Sequence, residues 1–269
     1  MKKFAVFLIC ILLLEGISPQ VSYASAGNFA QQTTAQRPAA GKTTRILLVG
    51  NSFTLFNHLD ELLTNLSQSA GRKVKVTTVA QGGASLEQYA SLITPEGKIL
   101  HRLLADQKWD YVILQDRHFY PIVHPDKLKN SVLALKPYIK RSGARLALYM
   151  TWAPGKGHQE YTTFRHLVSG KRDFQLKVGK VYKDAGKAAN ALVIPVGYAF
   201  YREQSNSGVR LLRQDKYHPN YAGSYLAACT IYSAIFKESP NSSFYGELRG
   251  STARHLQRLA YRTVQKNSI

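Results

Sequence analysis

Cysteine is nearly missing from this chain. Its 269 residues include only Cys10 and Cys229, and one partnerless thiol in the body of the protein excludes a disulfide scaffold. Acidic residues are also scarce, 16 Asp+Glu against 36 Lys+Arg, for a net charge of +20. Such an excess favours polyanionic surroundings without naming the polyanion. The apolar run Phe4 to Leu14 spans about 11 residues, short of the roughly 20 that cross a bilayer, so no permanent membrane span is expected. The eight histidines form neither an H-E-x-x-H pair nor a Cys/His cluster, so neither a metal nor another cofactor is expected. No internal repeat, coiled-coil heptad or collagen period is present. What remains is a globular composition, 45% hydrophobic and 19% charged, with 19 Gly and 10 Pro dispersed along the chain.

The N-terminus has the form of a secretory leader. Lys2 and Lys3 precede the apolar run, and Ala24-Ser25-Ala26 has the small-x-small form of a processing site. Residues 1–26 are therefore expected to be a signal peptide cleaved after Ala26, with export to a bacterial periplasm or the medium. Loss of Lys2, Lys3 and Glu15 leaves +19, so the basic character belongs to the mature protein. Residues 27–43, rich in Gln, Thr, Ala and Gly, read as a flexible linker, and 44–269 as one domain. Cys229, in an apolar helix-like run, is expected to be buried.

From Arg45 the pattern is strand, loop, helix, repeated. Ile46-Leu47-Leu48-Val49 is continuously apolar, as in a strand buried on both faces. Leu55, Leu59, Leu62, Leu63 and Leu66 then fall on one helical face. Val74, Val76 and Thr78 alternate toward Gly82-Gly83, and Leu86 to Leu104 is helical with a break near Pro95. Tyr111 to Leu114, Arg145 to Met150 and Ala191 to Val196 read as three more strands, with helices at Asp126 to Arg141 and within Tyr161 to Asn190. This alternation implies a central parallel sheet of about five strands with helices on both faces.

In such sheets ligands bind beyond the carboxyl ends of the strands. The residues there are Gly50-Asn51-Ser52, Gln81-Gly82-Gly83, Gln115-Asp116 and Thr151-Trp152. Ser52 lies between a buried strand and an amphipathic helix, where free N–H groups and the positive helix end favour an attacking oxygen. A serine needs a base and an orienting group. Asp215-Lys216-Tyr217-His218-Pro219 can supply both, since Asp215 and His218 fit within one turn.

Gly50-Asn51-Ser52-Phe53, Gly83, a polar residue after the third strand and Asp215-x-x-His218-Pro219 together resemble the SGNH (GDSL-type) hydrolases, over about 44–236. The resemblance is nearest to exported bacterial members with a Gly-Asn-Ser-Phe-Thr opening and Gln in the third block. It implies a three-layer α/β/α, flavodoxin-like sandwich and a serine esterase without a metal. By the same resemblance Ser52 is the nucleophile, His218 the base and acid, and Asp215 its orienting carboxylate. The oxyanion hole would be Ser52 N–H, Gly83 N–H, with Gly82 as the alternative glycine, and the Gln115 amide. Gln115 stands where the family has Asn, and the extra methylene costs preorganisation.

Trp152 and His118, following strands, are candidates for the substrate pocket with Gly82. The expected reaction is hydrolysis of a small acyl ester, acetyl by family analogy, on a carbohydrate through an acyl-Ser52 intermediate. An O-acyltransferase using the same intermediate, and a noncatalytic basic polysaccharide-binding protein on the same scaffold, are the competing readings. The expected partners are an acylated saccharide and an anionic polysaccharide, not nucleic acid.

Overall fold

The computed structural model describes residues 20–23, 41–205 and 208–266. Its framework is a six-stranded sheet of β1 (Gln20–Tyr23), β2 (Thr44–Gly50), β3 (Val74–Ala80), β4 (Tyr111–Leu114), β5 (Arg145–Tyr149) and β6 (Leu192–Ile194), in the order β1-β3-β2-β4-β5-β6. The last five are parallel. β1 is an antiparallel edge strand on β3, and its residues fall within the segment read as a leader. Cleavage after Ala26 would remove β1 and leave β3 as the edge of the parallel sheet. The rest of that segment and residues 27–40 of the expected linker lie outside the described residues.

The strand pleat divides the core in two. Along β2, Ile46 and Leu48 face one side and Leu47 and Val49 the other, all essentially inaccessible to water, as a strand covered on both faces requires. On the first side lie α1 (Ser52–Leu55), α2 (Leu59–Ser69), α9 (Val196–Ser205), α10 (Tyr221–Phe236) and α11 (Gly250–Lys266). On the second lie α3 (Leu86–Ala90), α4 (Pro95–Asp106), α6 (Pro125–Arg141) and α8 (Lys171–Ala189). The short helices α5 (Tyr120–Val123) and α7 (Glu160–Thr163) sit in loops beyond β4 and β5. The result is the three-layer α/β/α sandwich expected from the alternation.

α10 is buried on every side from Ala222 to Ile235 because it packs against α2, α9 and α11 at once. Cys229 lies inside it, free and fully buried, and burial raises its thiol pKa well above the ordinary value. Among the described residues, no helix is long and apolar enough to cross a membrane.

The single helix expected from Leu55 to Leu66 is two helices. Asn57 and His58 adopt left-handed backbone, φ 56° and 51°, a conformation Asn and His tolerate better than most residues. The Asn57 amide donates to the Pro219 carbonyl (3.1 Å) and the Ser224 hydroxyl (2.8 Å). The break therefore ties the Ser52 helix to the start of α10. The interruption before α4 falls at Ser91–Thr94, and Pro95 opens the helix rather than breaking it, with the Thr94 hydroxyl accepting from Gly97 N–H at 3.2 Å.

Candidate functional site

The site grows from the carboxyl end of β2. Gly50 pairs in register with Ala80 of β3, and a Cβ on Gly50 would collide with the Thr54 hydroxyl and the Gln115 side chain, so only glycine lets those groups close over the backbone. Asn51 caps α1: its side-chain oxygen accepts from Phe53 N–H (3.2 Å) while its amide donates to the Ala84 carbonyl (3.0 Å). One buried side chain thus sets the Ser52 turn and secures the neighbouring Gly82-Gly83 loop.

That loop is a four-residue turn closed by Ala84 N–H to the Gln81 carbonyl at 3.0 Å. Gly83 takes φ +73°, which favours glycine at the third position of such a turn. Among the described residues, the N–H groups of Ser52, Gly82 and Gly83 have no hydrogen-bond partner. Both glycines are exposed.

The second half comes from a hairpin-like loop before α10. The chain turns between Leu212 and Pro219, which form an isolated antiparallel bridge, with Lys216 in left-handed backbone at the tip. Asp215 Oδ1 accepts from the N–H groups of Tyr217 (2.9 Å) and His218 (3.0 Å), and Asp215 Oδ2 lies 2.8 Å from His218 Nδ1. His218 Nε2 lies 3.0 Å from Ser52 Oγ. With Nδ1 donating to the carboxylate, Nε2 is left as the acceptor for the serine proton.

Burial would raise the Asp215 pKa, but the hydrogen bonds from the His218 ring and from the two backbone N–H groups prevail and hold it below the usual carboxylate range. The imidazole is stacked on Phe56 (4.5 Å, 25°) and touched edgewise by Phe53 (5.6 Å). Its loop is anchored from behind by Trp152 Nε1 donating to the Tyr217 carbonyl (3.1 Å) and by Gly155 N–H donating to the Lys216 carbonyl (2.8 Å).

Ser52, Asp215 and His218 are thus brought into one hydrogen-bonded line, and Gly82 and Gly83 stand on the loop beside it. Three other expectations need correction. Gln115 is 1% exposed and directed under the Ser52 turn: its Oε1 accepts from Asn51 N–H (3.0 Å) and the Thr54 hydroxyl (2.9 Å), and its Nε2 donates to the Asp116 carbonyl. Because Asn51 N–H can only donate, the amide cannot be turned round, and the buried side chain is spent on the Ser52 turn and the Asp116 carbonyl. The added methylene that separates Gln from Asn carries the group beneath the turn.

Trp152 is fully buried, stacked on Phe200 (4.0 Å, 6°), and supports the His218 loop rather than lining a pocket. His118 is likewise buried, with Nδ1 on Glu160 (3.0 Å) and Nε2 on the Trp152 carbonyl (2.6 Å). Position after a strand correctly put both residues at this end of the sheet. Side-chain direction depends on packing partners far along the chain.

Asn57 and Phe56 were not singled out from the sequence, and Asp116 was placed only as a residue following the third strand. An Asn-His pair interrupting a leucine face was the available signal for Asn57. Asp116 sits behind the Gly82-Gly83 loop and accepts from Leu86 N–H (2.9 Å), at the start of α3, and from Arg117 N–H (2.8 Å). Burial pushes its carboxyl up to about 6 despite those two bonds. Among the described residues, no group of three or more His, Cys, Asp or Glu is placed to hold a metal ion.

No family model matches the sequence, and no curated protein matches it. Solved structures do. A candidate SGNH hydrolase from Slackia heliotrinireducens is 28% identical, covering 72% of this chain and 100% of its own, with a TM-score of 0.63. A DUF4886 family protein from Bacteroides uniformis is 22% identical over 85% of this chain and 97% of its own, with a TM-score of 0.70. Axe2, an acetylxylan esterase from Geobacillus stearothermophilus, shares the fold at 16% identity, covering 74% of this chain and 96% of its own, with a TM-score of 0.53. By its parallel sheet, its layers and these likenesses, this chain is a serine hydrolase of the SGNH superfamily.

Proposed function

We propose that the protein is an exported esterase that removes a small acyl group, acetyl in the simplest case, from a carbohydrate by way of an acyl-Ser52 intermediate. The observation that carries the proposal is the unbroken line Ser52 Oγ, His218 Nε2, His218 Nδ1, Asp215 Oδ2, at 3.0 and 2.8 Å. His218 takes the hydroxyl proton as Ser52 attacks the ester carbonyl, and Asp215 stabilises the imidazolium that forms. The oxyanion lies against Ser52 N–H and the N–H of Gly83 or Gly82, each donor contributing roughly a hundredfold to a thousandfold in rate. His218 then protonates the departing sugar oxygen. A water that loses its proton to His218 attacks the acyl carbon, and the carboxylic acid leaves with Ser52 restored.

Hydrolysis is favoured over acyl transfer by the openness of the base. The His218 side chain is 25% exposed and that of Asp215 43%, so water reaches the acyl-enzyme unless an acceptor displaces it. The carbohydrate is supported by the likeness to an acetylxylan esterase, and export by the leader-like N-terminus.

The test is turnover of p-nitrophenyl acetate at neutral pH by the protein and by Ser52→Ala. A loss of about a thousandfold or more in kcat is expected. Equal rates in the two proteins would reject Ser52 as the acyl acceptor and favour the binding-protein reading.

A further inference from the structure

A large cavity is not lined by Ser52 or His218 but begins beside them. It is a groove of about 1150 Å³ running from Phe56 along α2 to the segment before α11, larger than the roughly 300–1,000 Å³ of an ordinary small-molecule pocket. Phe56 is the shared wall, one edge of the groove and the ring on which His218 is stacked. Tyr221 and Tyr245 supply further partly exposed rings, and Asn65 and Gln68 supply side-chain amides. Flat apolar rings beside amides suit a pyranose, which offers C–H faces and a rim of hydroxyls.

Charge distinguishes the near end of this groove. Arg213 lies over the Phe56 ring, its guanidinium carbon 5.1 Å from the centroid, and lines not only the groove but also two smaller cavities of about 510 and 500 Å³ on the Asp215 side. Lys156, Lys171, Arg210 and Lys216 line those two cavities with it. None of the five forms an ion pair among the described residues. Glu61, 4.0 Å from His58, and Glu247 line the groove itself, and the carboxylates lining the two smaller cavities are already engaged. Glu203 is fully buried on His255 (2.6 Å) and Val209 N–H, and Asp215 is held by His218. Arg213 lines the groove and the other four line the adjoining cavities, so five cations without an ion pair give this side of the groove a positive field that favours an anion.

We propose that the groove binds an acidic oligosaccharide, one bearing uronate-type carboxylates, with its sugar rings along Phe56, Tyr221 and Tyr245 and a carboxylate on Arg213, so that an ester on the adjoining residue reaches Ser52. The esterase reading decides the fate of the bound sugar, and this proposal rests on it for that step alone. Because Phe56 joins the groove to His218, the bound polymer enters from the side where the leaving sugar oxygen must be protonated. Guanidinium and carboxylate geometry match in a two-point contact, making Arg213 the residue that selects acidic over neutral chains.

The experiment measures equilibrium binding of tetragalacturonate and xylotetraose to the full chain carrying Ser52→Ala, by titration calorimetry at low salt and at about 0.5 M NaCl. Binding read in this variant is independent of turnover. A failure of p-nitrophenyl acetate hydrolysis would therefore reject the esterase reading without touching the groove, and the reverse holds equally. Tetragalacturonate is expected to bind about tenfold or more tightly than xylotetraose, with the difference shrinking at high salt. Adding Arg213→Gln should abolish most of that preference, Arg213→Lys should keep part of it, and Tyr245→Ala should weaken both sugars. Equal affinity for the two sugars, binding of neither, or a preference that survives Arg213→Gln would overturn the proposal.

Discussion

The two halves of the proposed catalytic centre are built differently. The Ser52 half is enclosed: Asn51, Thr54 and Gln115 are all buried and bonded to one another, and through Ala84 to the glycine loop. The His218 half is open, with Arg213, Gln214, Asp215 and Lys216 exposed on a hairpin tip. The serine is positioned by a dense buried network that belongs to the sheet. The histidine is positioned by a few bonds from Asp215, Trp152, Gly155 and Asn57. Damage to the first half should therefore register as lost fold stability together with lost rate. Damage to the second should register as lost rate alone.

The sharpest test of the contrast is Asp215→Asn. The amide can no longer accept the Nδ1 proton as a carboxylate does, and the wrong tautomer leaves Nε2 unable to take the serine proton. A fall of about a thousandfold to ten-thousandfold in kcat is expected, with little change in Tm because the group is at the surface. The sign of the pH dependence follows from its lowered pKa. The stabilisation it supplies is present above the ordinary carboxylate value and fades only as pH falls through the lower folded value, so the acid limb of activity should not arise from Asp215 near neutrality.

Gln115→Ala acts on the enclosed half. It strands the Asn51 N–H and the Asp116 carbonyl in the interior, a cost of about 1–3 kcal/mol for each group left unsatisfied. Thermal unfolding should show a lower Tm, and kcat should fall about tenfold with KM for p-nitrophenyl acetate little changed. An unchanged Tm would dissolve the distinction between the halves.

Asp116→Asn is the smallest effect and reads pH. Its carboxyl is raised from 3.8 to about 6 by burial, so its contribution to stability is present below about pH 4 and lost as pH rises through 6. The Asn side-chain oxygen can still accept from Leu86 and Arg117 N–H. The variant should therefore flatten the fall in Tm between about pH 4 and 6, and a profile identical to that of the parent would contradict the account.

The strands were the legible part of the fold. Tyr111–Leu114 was read with the bounds it has, because an apolar tetrapeptide buried on both faces has no competing pattern. The helix after β2 was misjudged as continuous because its leucines keep helical spacing across Asn57 and His58, while the break depends on Pro219 and Ser224, more than 160 residues away. The same separation explains the site. Ser52, Asp215 and His218 were legible because hydroxyl, imidazole and carboxylate carry their chemistry in their identities. The inward turn of Gln115 and the burial of Trp152 and His118 were not, because each depends on tertiary partners. The groove beside Phe56 was invisible for that reason too, since it joins residues 56–69 to 213–247.

The central claim is that Ser52 is made nucleophilic by His218. Its most direct measurement is labelling with a fluorophosphonate followed by peptide mass mapping, in the protein, in Ser52→Ala and in His218→Ala. A single adduct on Ser52 is expected, none in Ser52→Ala, and labelling slowed by at least about a hundredfold in His218→Ala. An adduct on another serine, or labelling of Ser52 at an undiminished rate without His218, would contradict the claim.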